Sequence, residues 1–205
     1  MKVVLINGSP RANSNDGLAL QEMKKIFEKE NIEVKEFSVG TKVVRVCIAC
    51  GKCKQIGRCV FDDLVNEVAK EFESGDGLVV ASPVYYAQAN GTLVSLLQRL
   101  FYSTNFSKRM KVGCAIAVAR RSGTTATFDE LNKYFSISEM PIVTSFYWNN
   151  LHGMSEGEAI KDEEGVSTVK QLAKNMIFLM KAIKKEKENG DLEHEKHEYT
   201  NFINN

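Results

Sequence analysis

The sequence predicts an α/β fold: a doubly wound, five-stranded parallel sheet in the order 2-1-3-4-5. Three observations carry this. Short, unbroken apolar runs recur along the chain, the pattern of strands buried on both faces. Amphipathic stretches of helical period lie between them, so strands and helices alternate. Two strand runs precede the crossover, which sets the strand order. With 205 residues, 43% of them hydrophobic and 26% charged, the chain suits one domain with a sizeable core.

Val3 to Asn7 (VVLIN) is the first buried strand, and a Gly-Ser-Pro turn follows it. A helix is expected from about Asn13 to Lys29, with Leu18, Met23, Ile26 and Phe27 on one side. Ile32 to Phe37 alternates apolar and charged residues and suits an edge strand. A cysteine-rich insertion comes next, over residues 45–61, and then a helix capped by Asp62 that covers Leu64, Val65, Val68 and Phe72. Gly77 to Tyr86 (GLVVASPVYY) repeats the opening logic of apolar strand and Ser-Pro, before a helix with Leu93, Leu96, Leu97 and Leu100. Lys111 to Ala119 is another buried strand, and Phe128 to Phe135 reads as helix. Ile142 to Trp148 (IVTSFYW) is the expected far-edge strand, followed by a long loop over Asn149 to Glu164. Val166 to Lys185 is a long amphipathic helix. The domain is expected to span residues 1–188, with residues 189–205 a polar tail.

The formal net charge of +1 gives no argument for a nucleic-acid or membrane partner. No apolar run reaches the roughly 18 residues of a membrane span. The apolar stretch near the N-terminus is too short for a secretion signal. The expected location is therefore cytoplasmic, where thiols stay reduced and clustered cysteines read as metal-binding or catalytic.

In a sheet of this order, ligands sit beyond the C-terminal strand ends, between the first and third strands. Two loops fall there. Asn7 to Asp16 (NGSPRANSND) offers Gly8 for a tight turn, hydroxyls at Ser9 and Ser14, amides at Asn13 and Asn15, and a cation at Arg11. Backbone N–H groups at a helix start would favour an anion. Neither GxxxxGK[ST] nor GxGxxG occurs, which leaves a single phosphate monoester such as that of FMN. Such a turn can also be a plain strand–helix connection. Asp16 fits beside an anion only if its side chain turns outward. In the second loop, Ser82 to Asn90, Pro83 fixes the backbone and Tyr85 or Tyr86 offers a flat wall for a ring. A third loop, Ala119 to Thr125, would close the crevice. Ser122 could bond to a heteroaromatic edge, Gly123 permits close approach, and Arg120 or Arg121 could hold a phosphate.

Four of the five cysteines, Cys47, Cys50, Cys53 and Cys59, follow the spacing C-x2-C-x2-C-x5-C. Thiolates are soft ligands suited to iron–sulfur clusters or zinc. The even spacing of the first three suits the separate corners of one 4Fe–4S cluster. A zinc site usually draws on two C-x2-C knuckles farther apart. Redox thiols or a disulfide are the remaining reading. Cys114 lies in an apolar strand and reads as a small core residue.

Taken together, GSPRANSN, the cysteine set followed by Asp62-Asp63, and GLVVASPVYY with Asn90-Gly91 resemble the iron–sulfur flavoproteins of the flavodoxin-like, NADPH-dependent FMN reductase family. The likeness covers about residues 1–125. It implies FMN, with phosphate contacts on Ser9, Arg11, Asn13, Ser14 and Asn15. Ring contacts would fall on Pro83, Val84, Tyr85 and Tyr86, and on Arg121, Ser122 and Gly123. Many relatives lack part of the cysteine set, so the family alone does not imply a cluster; this chain carries all four, and the expected 4Fe–4S cluster rests on Cys47, Cys50, Cys53 and Cys59 themselves. Family members often have Gly-Asn-Thr where this chain has Ser14-Asn15-Asp16, so no hydroxyl contact is implied at position 16. The expected function is electron transfer between cluster and FMN, fed by ferredoxin or NAD(P)H. A plain NAD(P)H-dependent FMN or quinone reductase with non-catalytic cysteines is one alternative, and a zinc-stabilised FMN-binding module without turnover is another. The cysteine loop follows the edge strand, away from the expected ring position. The cluster is therefore expected to face the flavin of a neighbouring subunit in a homo-oligomer, a dimer or tetramer, as the resemblance also implies.

Overall fold

The computed structural model describes residues 1–198 and 200. The strands are β1 (Lys2–Asn7), β2 (Glu33–Ser38), β3 (Gly77–Pro83), β4 (Val112–Ala119) and β5 (Asn150–His152). The helices are α1 (Asn15–Lys29), α2 (Cys53–Ile56), α3 (Leu64–Glu73), α4 (Gly91–Ser103), α5 (Thr124–Ser136) and α6 (Glu163–Lys187), with a short 3-10 turn at Glu158–Lys161. All strand pairs are parallel, and the sheet order is β2-β1-β3-β4-β5, as expected from the sequence.

Side chains alternate across each strand, so every central strand feeds two cores. Val3, Leu5, Val79, Cys114 and Ile116 face α1 and α6, where Met23, Phe27, Leu172 and Met176 meet them. Val4, Ile6, Leu78, Val80 and Ala115 face α3, α4 and α5, against Val68, Phe72, Leu96, Leu100 and Phe135. Each large side chain removed from water contributes about 1.5–3 kcal/mol. That two-sided burial is why β1, β3 and β4 read as unbroken apolar runs.

The far edge departs from expectation. Ile142 to Trp148 does not form a strand; only Ile142 bridges to Gly113. Gly113 N donates to Pro141 O (2.9 Å) and Val143 N donates to Gly113 O (2.9 Å). The chain then bulges outward, leaving Phe146, Tyr147 and Trp148 exposed. Asn149 fills the gap: its Nδ2 donates to Ala115 O at 3.0 Å, where a strand would have placed a backbone N–H. Ala117 N donates to Asn149 O (3.0 Å), and pairing resumes as the three-residue β5, inside the expected loop.

Two smaller corrections follow. β3 runs on through the Ser-Pro pair to Pro83, and Tyr85 and Gln88 then close a tight bridge. Asp63, not Asp62, caps α3, with its Oδ1 accepting from Val65 N at 3.1 Å. Asp62 instead pairs with Arg58 at 3.3 Å. Of the expected tail, residues 191–198 carry no helix or strand, and Arg109 donates to Leu192 O and Glu193 O at 2.9 and 3.0 Å. Residues 199 and 201–205 of that tail lie outside the described residues.

Candidate functional site: a phosphate turn and a ring of thiols

The turn after β1 is tied down by its own side chains. Gly8 N donates to Ala81 O at 2.8 Å, joining the turn to the end of β3. A Cβ on Gly8 would lie 2.8 Å from that carbonyl oxygen and 2.6 Å from Leu93 Cδ2, so only glycine fits. Ser9 N donates to Asn7 Oδ1 (2.9 Å) and Arg11 N to Ser9 Oγ (3.3 Å). Ser14 caps α1: its Oγ accepts from Gly17 N (3.0 Å) and Asn7 Nδ2 (3.2 Å).

A cavity of about 180 Å³ opens beyond the C-terminal ends of β1, β3 and β4. Ser9, Arg11, Ser14, Asn15, Pro83, Val84 and Tyr85 all line it, as their sequence positions suggested. The Asn15 amide is engaged by the protein itself: Nδ2 donates to Ser155 O (3.0 Å) and Oδ1 accepts from Ala159 N (3.1 Å). Its side chain therefore anchors the loop after β5 to the start of α1. Asn13 is exposed and borders a separate cavity near β2. Tyr86 projects fully into solvent from a left-handed backbone (φ 52°). In the third loop it is Arg120, not Arg121, that borders the cavity. Arg121 and Ser122 are exposed beside it. Gly123 has φ 90°, and a Cβ there would lie 2.9 Å from Val84 Cγ1, so glycine lets the third loop close on the second.

Asp16 does not turn outward. It is 2% exposed, borders the cavity, and its Oδ1 has no hydrogen-bond partner. Burial pushes its pKa up to about 7, against smaller pulls from its own backbone N–H and the Arg11 charge.

The four clustered cysteines border a second, small cavity of about 20 Å³, together with Arg99 and Tyr102 of α4. All four are free thiols; Cys53 is buried, Cys59 half-buried, and Cys47 and Cys50 exposed. The loop wraps through left-handed residues at Ala49 (φ 53°), Gly51 (φ 68°) and Gly57 (φ 71°). Asn66 fixes its end, accepting from Cys59 N (3.2 Å) and donating to Cys59 O (3.1 Å) and Phe61 O (3.0 Å). Arg99, 1% exposed, donates to Cys59 Sγ from Nε (3.2 Å) and from its second terminal nitrogen (3.1 Å). The same guanidinium grips Asp63 at 2.7 and 3.0 Å. As placed, no group of three or more His, Cys, Asp or Glu among the described residues could hold a metal ion, although all four cysteines border the one cavity. Four soft donors around one cavity match the chemistry of an iron–sulfur cluster, whose iron corners are bound separately.

A family model described as NADPH-dependent FMN reductase matches residues 1–153. The chain belongs to that family. Its relatives in the family include an iron–sulfur flavoprotein of Methanocaldococcus jannaschii, 33% identical over 193 residues that cover 90% of this chain and 100% of the relative. An iron–sulfur flavoprotein of Methanosarcina thermophila is 29% identical, covering 92% and 100%. Among solved structures, RosB with a bound riboflavin-5'-phosphate derivative superimposes with a TM-score of 0.72 at 13% identity, over 100% of this chain and 93% of RosB. An archaeal flavodoxin gives 0.53 at 14% identity, over 85% and 99%. At such identities the structures establish a shared fold, which is the flavodoxin-like one.

Within this reductase fold, sequence reasoning missed the contribution of the loop after β5, where Gly153, Met154 and Glu156 border the first cavity. It also missed Arg99. The available signal was an arginine on the apolar stripe of α4, between Leu96 and Leu100. Cys114 is fully buried beside Met176, as expected, and burial pushes its thiol pKa up, away from thiolate chemistry. Among the described residues, no helix is long and apolar enough to cross a membrane.

Proposed function

We propose that the chain is an electron-transfer flavoprotein that holds FMN in the cavity beyond β1, β3 and β4 and a 4Fe–4S cluster on Cys47, Cys50, Cys53 and Cys59. The observation that carries the reading is that four free cysteines border one cavity, in a fold with a second cavity at its switch point.

Ser9, Arg11 and Ser14 form the phosphate side, by hydroxyl, guanidinium and the N–H groups at the start of α1, and the inward Asp16 sits beside it in the protonated form that burial favours. Pro83, Val84 and Tyr85 flank the ring, Arg120 borders its far side, and Gly123 lets the third loop close on the second. When bound, the two groups supply one- and two-electron redox chemistry, while the protein sets distance and polarity. Ferredoxin or NAD(P)H is the proposed electron source, and NADPH accords with the family's description. The two cavities share no bordering residue, so we place the cluster opposite the flavin of a neighbouring copy in a homo-oligomer. Exposed Val46, Ile48 and Ile56 around the cysteines suit burial in such a contact.

Replacing Cys53 by Ala tests the ligand assignment. Iron and sulfide should be lost while FMN stays bound. Unchanged iron would overturn the assignment. Stoichiometric zinc in the wild type would favour the zinc-stabilised module, and flavin reduction by NADPH at an undiminished rate in C53A would favour the plain reductase.

A further inference from the structure

We propose that Arg99 sets the electrostatics of the thiol site, raising the reduction potential of the cluster through hydrogen bonds to Cys59. The inference rests on the cluster reading above. Arg99 comes from α4, forty positions along the chain from Cys59, yet two of its nitrogens lie 3.2 and 3.1 Å from the Cys59 sulfur. The guanidinium presents two forks. Its end-on fork meets both oxygens of Asp63, at 2.7 and 3.0 Å. Its side-on fork, Nε with one terminal nitrogen, meets the sulfur. The fifth N–H goes to the carbonyl of Arg45 (3.2 Å), the Phe61 carbonyl shares a hydrogen already engaged (3.4 Å), and the guanidinium lies over the Phe61 ring at 5.0 Å.

A purely structural clamp needs only Asp63 and the carbonyls. The side-on fork is an addition, and among the described residues Cys59 is the only one of the four cysteines whose sulfur receives a side-chain donor. One-electron reduction adds a negative charge to the thiolate-bound group. A buried, permanently charged donor stabilises that added charge more than the oxidised state. Hydrogen bonds to sulfur and net charge are established determinants of such potentials. Lysine cannot form the side-on fork, so it restores charge without both bonds.

The test is an EPR-monitored redox titration of the anaerobically purified full chain, with iron and sulfide counted in each sample. Arg99→Gln should lower the one-electron reduction equilibrium at least tenfold, about 59 mV, with iron content unchanged. Arg99→Lys should fall between glutamine and wild type. The same potential in all three cluster-loaded proteins would overturn the role of Arg99 and leave the cluster reading intact. Absence of iron and sulfide from the wild type would instead overturn the cluster reading and the inference with it. Should Arg99→Gln fail to fold, pulsed EPR of reduced wild type carrying guanidino-15N arginine decides. A nitrogen coupling that changes with the label supports the contact, and its absence overturns it.

Discussion

Arg99 and Asp63 form a bidentate ion pair at 2.7 and 3.0 Å, in which the arginine is 1% exposed and the half-buried carboxylate also caps α3. Burying two charges is costly, so the pair says little about net stability while intact. Breaking it is different, because the guanidinium then stays buried without its carboxylate partner. Asp63→Ala should destabilise the fold by about 3–5 kcal/mol, read from urea unfolding. Asp63→Asn keeps an oxygen for the Val65 N–H and should lose about 1 kcal/mol less. Equal losses would mean that the cap contributes nothing.

Asp16 makes stability depend on pH. Its carboxyl rises from an ordinary 3.8 to about 7 in the fold. Between those values the folded chain holds a proton that the unfolded chain has released. Stability should therefore fall as pH rises from about 4 to about 7, then level off. Arg11 pulls the other way, and Arg120 and Glu156 border the same cavity. Asp16→Asn should flatten this slope, seen as a Tm of the flavin-free protein that changes less across the window. An unaltered slope would mean that other groups carry it.

Gly8 permits the phosphate turn to touch β3. Gly8→Ala forces a Cβ to within 2.8 Å of the Ala81 carbonyl oxygen, and backbone cannot yield as a side chain tip can. The variant should lose about 1–3 kcal/mol and retain severalfold less flavin after gel filtration. Full flavin occupancy would show that the turn does not shape the cavity.

Asn149 replaces a missing rung of the sheet. Asn149→Ala leaves Ala115 O, in the fully buried β4, without its 3.0 Å donor. The expected cost is about 1–3 kcal/mol, with faster hydrogen exchange at Ala117, whose N–H bonds to Asn149 O.

This last contact explains where the fold was legible in the sequence. β1, β3 and β4 could be read because burial on both faces forces continuous apolar runs. The far edge misled because Ile142 to Trp148 has strand composition, while a side-chain amide, not the backbone, completes the ladder there. The turn after β1 was legible because Gly8, Ser9 and Ser14 act locally, within one strand–helix junction. The thiol spacing was legible for the same reason. Arg99 was not, because its partners Cys59 and Asp63 belong to another segment and only the tertiary fold brings them to α4. The sequence left the direction of the Asp16 side chain open, because its burial depends on the loop after β5, which Asn15 pins in place.

The most direct test of the account is an absorption spectrum of the protein purified without oxygen, with iron, acid-labile sulfide and flavin counted on the same sample. The account predicts a brown protein with iron and sulfide in equal amounts, in the quantity of one 4Fe–4S cluster, and one FMN per chain. Colourless protein that takes up neither group on reconstitution, or zinc in place of iron, would contradict it.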